Sequence, residues 1–131
     1  MRRAGLLAAC LLAGAAGAQT CEQPPAGAAR AESPRFVLYY KPEPAIVLNK
    51  HFGLRVLVCP KAPVAGPLQL RVDARMPAHQ HGMNYKPTVA ANAPGQYHAD
   101  GLLFHMPGRW ELMFEVEAAG RSDKLAARVD L

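Results

Sequence analysis

The chain has 131 residues, half of them hydrophobic, which is enough for one domain with a substantial core. With four Phe, four Tyr and one Trp, that core must consist mainly of Val and Leu. The formal net charge is +5, and the basic residues are scattered without any run of Lys or Arg. This charge pattern lacks the concentrated basic patch of a nucleic-acid-binding protein, so we expect no nucleic-acid partner.

Residues 1–18 have the pattern of a secretory signal peptide. Two Arg residues precede an apolar stretch of Ala, Leu and Gly, and an Ala-Gly-Ala cleavage pattern ends at Ala18. We therefore expect a periplasmic or secreted protein whose mature chain begins at Gln19. The residues before Cys10 resemble a lipoprotein box, so a lipid anchor at this cysteine is the minor alternative. No later stretch is apolar enough to span a membrane, and we expect no transmembrane segment after signal cleavage.

The cysteines agree with export. After cleavage at the predicted site Cys21 and Cys59 remain, and two cysteines in an oxidising compartment usually pair. We predict a disulfide that attaches the N-terminal tail to the end of a strand. The alternative is that one cysteine is a metal ligand, although both are far in sequence from the His-rich segment.

The mature chain divides into a tail and one domain. Residues 19–34 are rich in Pro, Ala and Gly, which predicts a flexible tail or linker. Residues 35–131 alternate between apolar and polar side chains, and the clearest example runs from Trp110 to Val116 with glutamates between the apolar residues. We predict strands at 36–41, 54–58, 68–75, 88–91, 97–104, 110–117 and 124–131.

These elements predict an all-β fold. Strands of this length with turn signals between them are typical of an antiparallel, immunoglobulin-like β-sandwich of about seven strands. A small barrel is the alternative. Outside the signal no segment has a helical apolar stripe, and twelve prolines argue against helices.

His and Met residues cluster in one part of the chain. Seven of the nine that follow residue 18 lie between Met76 and Met106. The densest segment is Met76-Pro77-Ala78-His79-Gln80-His81-Gly82-Met83. In an extended chain His79 and His81 would point the same way, because side chains alternate along a strand. Imidazole and thioether together are copper ligands, and sulfur favours Cu(I), whereas zinc more often recruits Cys or carboxylate.

The predicted topology adds a second segment to this cluster. The third and sixth strands of such a sandwich are antiparallel neighbours, so the loop after Arg75 should meet the residues before Arg109. The predicted metal ligands are His79, His81, Met83, Met76, Met106 and His105. Met76 and Met106 continue the alternation of neighbouring residues that point into the core. For each of them the alternative is therefore a role in core packing without metal binding. His98 should lie towards the opposite end.

The order of these motifs resembles a known family. The segment Met76-Pro77-x-His79-x-His81-Gly82-Met83 is followed by Gly95-x-Tyr97 and by Gly101-x-x-Phe104-x-Met106-Pro107-Gly108-x-Trp110-x-Leu112. Over residues 36–130 this is similar to the YtkA-like domain, a relative of FixH. The resemblance implies a small immunoglobulin-type sandwich outside the cytoplasmic membrane, linked to copper handling and cytochrome oxidase assembly. It also implies that the His-Met segment is the functional loop.

We therefore expect an exported copper-binding protein, either a chaperone or a buffer. Its partner would be a periplasmic or membrane protein that receives copper. The alternative is a protein-interaction module that binds no metal. We do not expect an enzyme, because the mature chain has only Ser33 and Ser122 as serine nucleophiles and no paired acids at catalytic spacing.

Overall fold

A computed structural model describes residues 21–131 of the protein, so the predicted signal peptide and Cys10 lie outside the described residues. Within this range the chain forms nine strands, one short 3-10 helix and no α-helix. The strands are β1 (Ala29–Glu32), β2 (Phe36–Glu43), β3 (His51–Pro60), β4 (Gln69–Met76), β5 (His81–Gly82), β6 (Thr88–Ala93), β7 (Gln96–Leu103), β8 (Arg109–Ala118) and β9 (Arg121–Asp130). The 3-10 helix spans Pro77–His79.

The strands form two antiparallel sheets that pack face to face. One sheet has five strands in the order β1-β2-β3-β7-β6, and the other has four in the order β5-β4-β8-β9. The predicted all-β sandwich is therefore confirmed. All seven predicted strands are present, and the two additional ones are the short strands β1 and β5.

The core follows the alternation of the sequence. Alternate residues of β8 from Trp110 to Val116 are at most 1% exposed, while the glutamates between them face outward and are only partly covered. Leu70 and Val72 of β4 are buried beside them, because β4 pairs with β8. The predicted register is therefore confirmed. Truncating a buried aromatic residue such as Trp110 to Ala typically costs about 3–5 kcal/mol.

The segment predicted as a tail is partly structured, so the boundary drawn before residue 35 is wrong. Residues Ala29–Glu32 form β1 and pair with β2, and Ala31 is buried. A four-residue strand with two alanines has too little alternation to be recognised. The predicted disulfide between Cys21 and Cys59 is present, with Cα atoms 5.4 Å apart, and it holds the start of the described chain against β3.

One buried polar network joins the two sheets, and we call it the Asp123 clamp. Ser33 Oγ donates a hydrogen bond to Asp123 Oδ2 at 2.6 Å, and Arg35 Nε donates to Asp123 Oδ1 at 2.7 Å. The Arg35 guanidinium also donates to the carbonyl of Arg121. Burial alone would raise the pKa of Asp123, but the hydrogen bonds from Ser33 and Arg35 lower it below its usual value.

Candidate metal site

Three loops meet at one end of the sandwich, which we call the histidine pole: residues 44–50, 77–87 and 104–108. The sheet register places them together, because β4 ends beside the start of β8 and β7 ends beside the start of β3. A hydrogen bond from Asn49 N to Phe104 O, 2.9 Å long, joins the first loop to the third. His79 and His81 lie in the second loop and His105 lies in the third.

The local conformation around His79 differs from the sequence prediction. Pro77 begins a 3-10 helix that ends at His79, and Gln80 then adopts a left-handed conformation with φ of 53°. The chain becomes extended again only at His81. The expected extended segment is therefore wrong, since a proline fixes φ at a value that suits the first turn of a helix. The rings of His79 and His81 are nevertheless neighbours, with centroids 5.7 Å apart.

His105 joins these two residues from the third loop. Its ring stacks on that of His81, with centroids 5.3 Å apart and planes inclined by 30°. The predicted topology, which brought His105 beside the His-Met segment, is confirmed. The Nδ1 atom of His105 is buried and has no hydrogen-bond partner among residues 21–131. Since buried polar atoms are almost always hydrogen-bonded, this nitrogen is the natural place for a ligand.

Trp110 forms the base of the imidazole cluster. Its ring is completely buried and stacks on Phe104 at a centroid distance of 4.5 Å. The same ring meets His105 at 5.4 Å and His81 at 6.0 Å, both nearly perpendicular to it. Its Nε1 donates a hydrogen bond to Met106 O at 2.9 Å. Sequence reasoning assigned Trp110 to the core alone, because alternation does not reveal which side chains lie above a buried ring.

The three predicted methionine ligands are buried or partly buried. Met76 is 2% exposed and pairs in register with His81, so it is a residue of the hydrophobic core. A Cβ atom added to Gly108 would lie 3.0 Å from the Cε atom of Met76. Met83 and Met106 are partly buried and pack against the same core. The thioethers are therefore less accessible than the imidazole of His79.

The remaining histidines are separate from this cluster. His98 lies within β7 opposite Arg55, and its Nε2 atom is 3.0 Å from Asp100 Oδ1. His51 begins β3, and its ring makes an edge contact with Tyr85 at 4.9 Å. The sequence prediction that His98 lies near the start of its strand, away from the His-Met segment, agrees with this position.

The cluster does not have the geometry of a preformed metal site. Among residues 21–131 no group of three or more His, Cys, Asp or Glu side chains is positioned to hold a metal ion. The reason is visible in the stacking of His81 on His105, because lone pairs lie in the ring planes and parallel rings do not direct them at one point. His79 is exposed, and exposed side chains change rotamer within nanoseconds.

The three loops offer imidazole nitrogens and thioether sulfurs, and their side-chain oxygens are the neutral ones of Asn49, Gln80, Asn84 and Tyr85. None of the three loops of the histidine pole contains Asp or Glu. Calcium and magnesium require oxygen ligands, whereas imidazole suits copper and zinc and thioether selects Cu(I). The donor chemistry therefore fits copper.

Comparison of the chain with protein-family models, with curated proteins and with solved structures finds no match. The similarity to the YtkA-like domain thus rests on the motifs of the sequence alone. Within the part of the chain that the structure describes, no helix is long and apolar enough to cross a membrane.

Proposed function

We propose that the protein is an exported copper-binding protein, a chaperone or a buffer, and that His79, His81 and His105 are its principal ligands. The observation that carries this proposal is the row of three imidazoles, in which the buried Nδ1 atom of His105 has no hydrogen-bond partner among residues 21–131. The motifs shared with the YtkA-like domain support the same function.

The buried nitrogen supplies a physical reason for binding. A buried polar atom is almost always hydrogen-bonded, and the Nδ1 atom of His105 has no partner among the described side chains and backbone groups. A metal ion that takes this nitrogen as a ligand would supply that partner. Binding at all three rings would need a rotamer change of the exposed His79 and a reorientation of the stacked His81 and His105 rings. Met83 and Met106, at the edge of the core, would supply thioether sulfur and favour Cu(I).

The second candidate function is a protein-interaction module that binds no metal. The stacked arrangement of His81 and His105 favours it, since parallel rings do not direct their lone pairs at one ion. The two functions make different predictions for copper titrations.

The single tryptophan provides the assay. Trp110 is the only Trp of the chain, and its ring lies 5.4 Å from His105. Anaerobic titration with Cu(I) in the presence of a competing chelator should quench its fluorescence and saturate at one ion per protein. His79→Asn and His105→Asn should each weaken Cu(I) binding by at least about tenfold, since even residues that only orient a ligand typically contribute this much.

His98→Asn is the matched control, because this histidine is partly exposed and lies outside the cluster. It should leave the Cu(I) affinity unchanged. A His79→Asn/His81→Asn/His105→Asn protein that binds Cu(I) as tightly as the parent would place the site elsewhere and favour the interaction module.

A further inference from the structure

Exposed apolar side chains are concentrated at the histidine pole. Among residues 21–131 four large hydrophobic side chains are exposed, and all four lie at this end of the sandwich: Val47, Leu48, Tyr85 and Leu131. Val47 is 54% exposed and Tyr85 is 47% exposed. Single exposed apolar residues need no explanation, but a group of them at one end of a molecule marks an interaction surface.

Contacts join these residues to the imidazole cluster. Tyr85 packs edge-on against His51, which directly follows the loop that carries Val47 and Leu48. That loop is bonded to the backbone of Phe104, the residue before His105. The exposed apolar side chains therefore border the proposed copper ligands.

The charged side chains of the three loops are all positive. The three loops contain Lys50 and Lys86 but neither Asp nor Glu, and Lys86 is 89% exposed although its Nζ lies 3.4 Å from Asp73. Next to the pole Glu43 pairs with Arg55 at 3.1 Å, whereas Asp100 is 66% exposed and pairs with His98. The three loops themselves therefore present apolar side chains and two exposed lysines to a partner.

We propose that Val47, Leu48, Lys50, Tyr85 and Lys86 form a docking surface for a protein partner whose own surface is apolar at the centre and acidic at the rim. Carboxylates at the rim would face the two lysines, and the apolar centre would cover Val47, Leu48 and Tyr85. Docking in this way places the partner beside the cluster for copper exchange. The exchange of copper rests on the proposed function, whereas docking of the partner does not depend on copper binding.

A protein fits this surface better than a lipid membrane does. Lipid headgroups are usually recognised by clusters of four to eight basic residues, and these loops carry two lysines. A small, weakly charged surface is typical of transient protein complexes, in which charge pairs steer association and raise its rate.

The test uses metal-free purified protein and a short synthetic peptide in which Asp and Glu flank a Leu-Met-x-Met centre. A control peptide has Asn and Gln at the acidic positions. Fluorescence anisotropy of the labelled peptides measures binding at two ionic strengths. The acidic peptide should bind more tightly than the control, and its advantage should fall at high salt, because exposed charge pairs are screened.

Two variants test the surface itself. Lys50→Gln/Lys86→Gln should weaken binding of the acidic peptide by roughly two- to thirtyfold, the range expected for two exposed ion pairs. Val47→Ser/Leu48→Ser should weaken binding of both peptides. Arg121→Gln/Lys124→Gln, which removes two cations near the opposite end, is the matched control and should bind the acidic peptide like the parent.

Equal binding of the two peptides, or no effect of the lysine variant, would overturn the proposal. Binding to vesicles that contain anionic lipid, without binding of the acidic peptide, would also overturn it and assign the surface to a membrane. If the protein binds the peptide but no Cu(I), the docking surface is supported and only the proposed copper binding is refuted. A protein that binds Cu(I) but no acidic peptide leaves the proposed function intact and overturns the docking surface.

Discussion

Replacing Asp123 with Asn removes the charge of the Asp123 clamp while keeping the shape of the side chain. Asp123 is 9% exposed and its partner Arg35 is 21% exposed, so the substitution leaves a largely buried guanidinium without its carboxylate. Breaking a fully buried pair in this way costs about 3–5 kcal/mol. Partial exposure of Arg35 and the hydrogen bonds that Asn retains reduce this to about 2–3 kcal/mol. For a domain of this length that loss lowers Tm by about 8–13 °C.

Thermal unfolding followed by circular dichroism at pH 7 measures this change. Asp130→Asn is the control, because Asp130 also bonds to two arginines but is 57% exposed. Its Tm should fall by no more than about 2 °C.

The pH dependence gives a second check. The pKa of Asp123 is lowered on folding, so the clamp stabilises the protein fully above the unfolded pKa, about 3.9. This stabilisation is lost as the pH falls through the folded value. The Tm difference between parent and Asp123→Asn should therefore shrink below about pH 4. A difference under 3 °C at pH 7, or one that stays constant on acidification, would refute the reasoning.

Three further predictions concern other features. Reduction of the bond between Cys21 and Cys59 should lower the free energy of unfolding by about 2–4 kcal/mol in urea denaturation, and an unchanged midpoint would show that the bridge adds no stability. Gly108→Ala should cost about 1–3 kcal/mol in the same assay, because φ is 125° at this position and the new Cβ would press on a buried methionine; unchanged stability would mean that the loop relaxes freely. Met83→Ile should weaken Cu(I) binding more than Cu(II) binding in chelator competition, whereas equal losses would exclude the sulfur of Met83 as a ligand.

The sequence predicted the long strands well because they bury one face. In β8 the alternation from Trp110 to Val116 fixes both the strand and its inward side, and β4 behaves in the same way. The strands that the sequence did not predict, β1 and β5, are short and depend on pairing with neighbouring strands. Strand β5 has only two residues and exists because Met76 pairs with His81, which is a contact made by the tertiary fold.

The site was predictable only at the level of topology. The pairing of β4 with β8 follows from a general rule for sandwiches, and that rule brought His105 to the His-Met segment. The turn at Gln80 was not predictable from spacing, since the separation of two between the histidines fits a strand as well as it fits a turn. The contact of Trp110 with two imidazoles depends on packing across both sheets.

The Trp110 ring contacts two imidazoles as well as the core, and this limits which residues of the cluster can be exchanged. His81 and His105 both rest on a ring that also packs on Phe104, so exchanging either histidine disturbs aromatic packing as well as donor chemistry. His79 is exposed, and its ring neighbours that of His81. Redesign of the donors in the proposed copper site should therefore begin at His79, where a Cys or Asp can be introduced without repacking the domain.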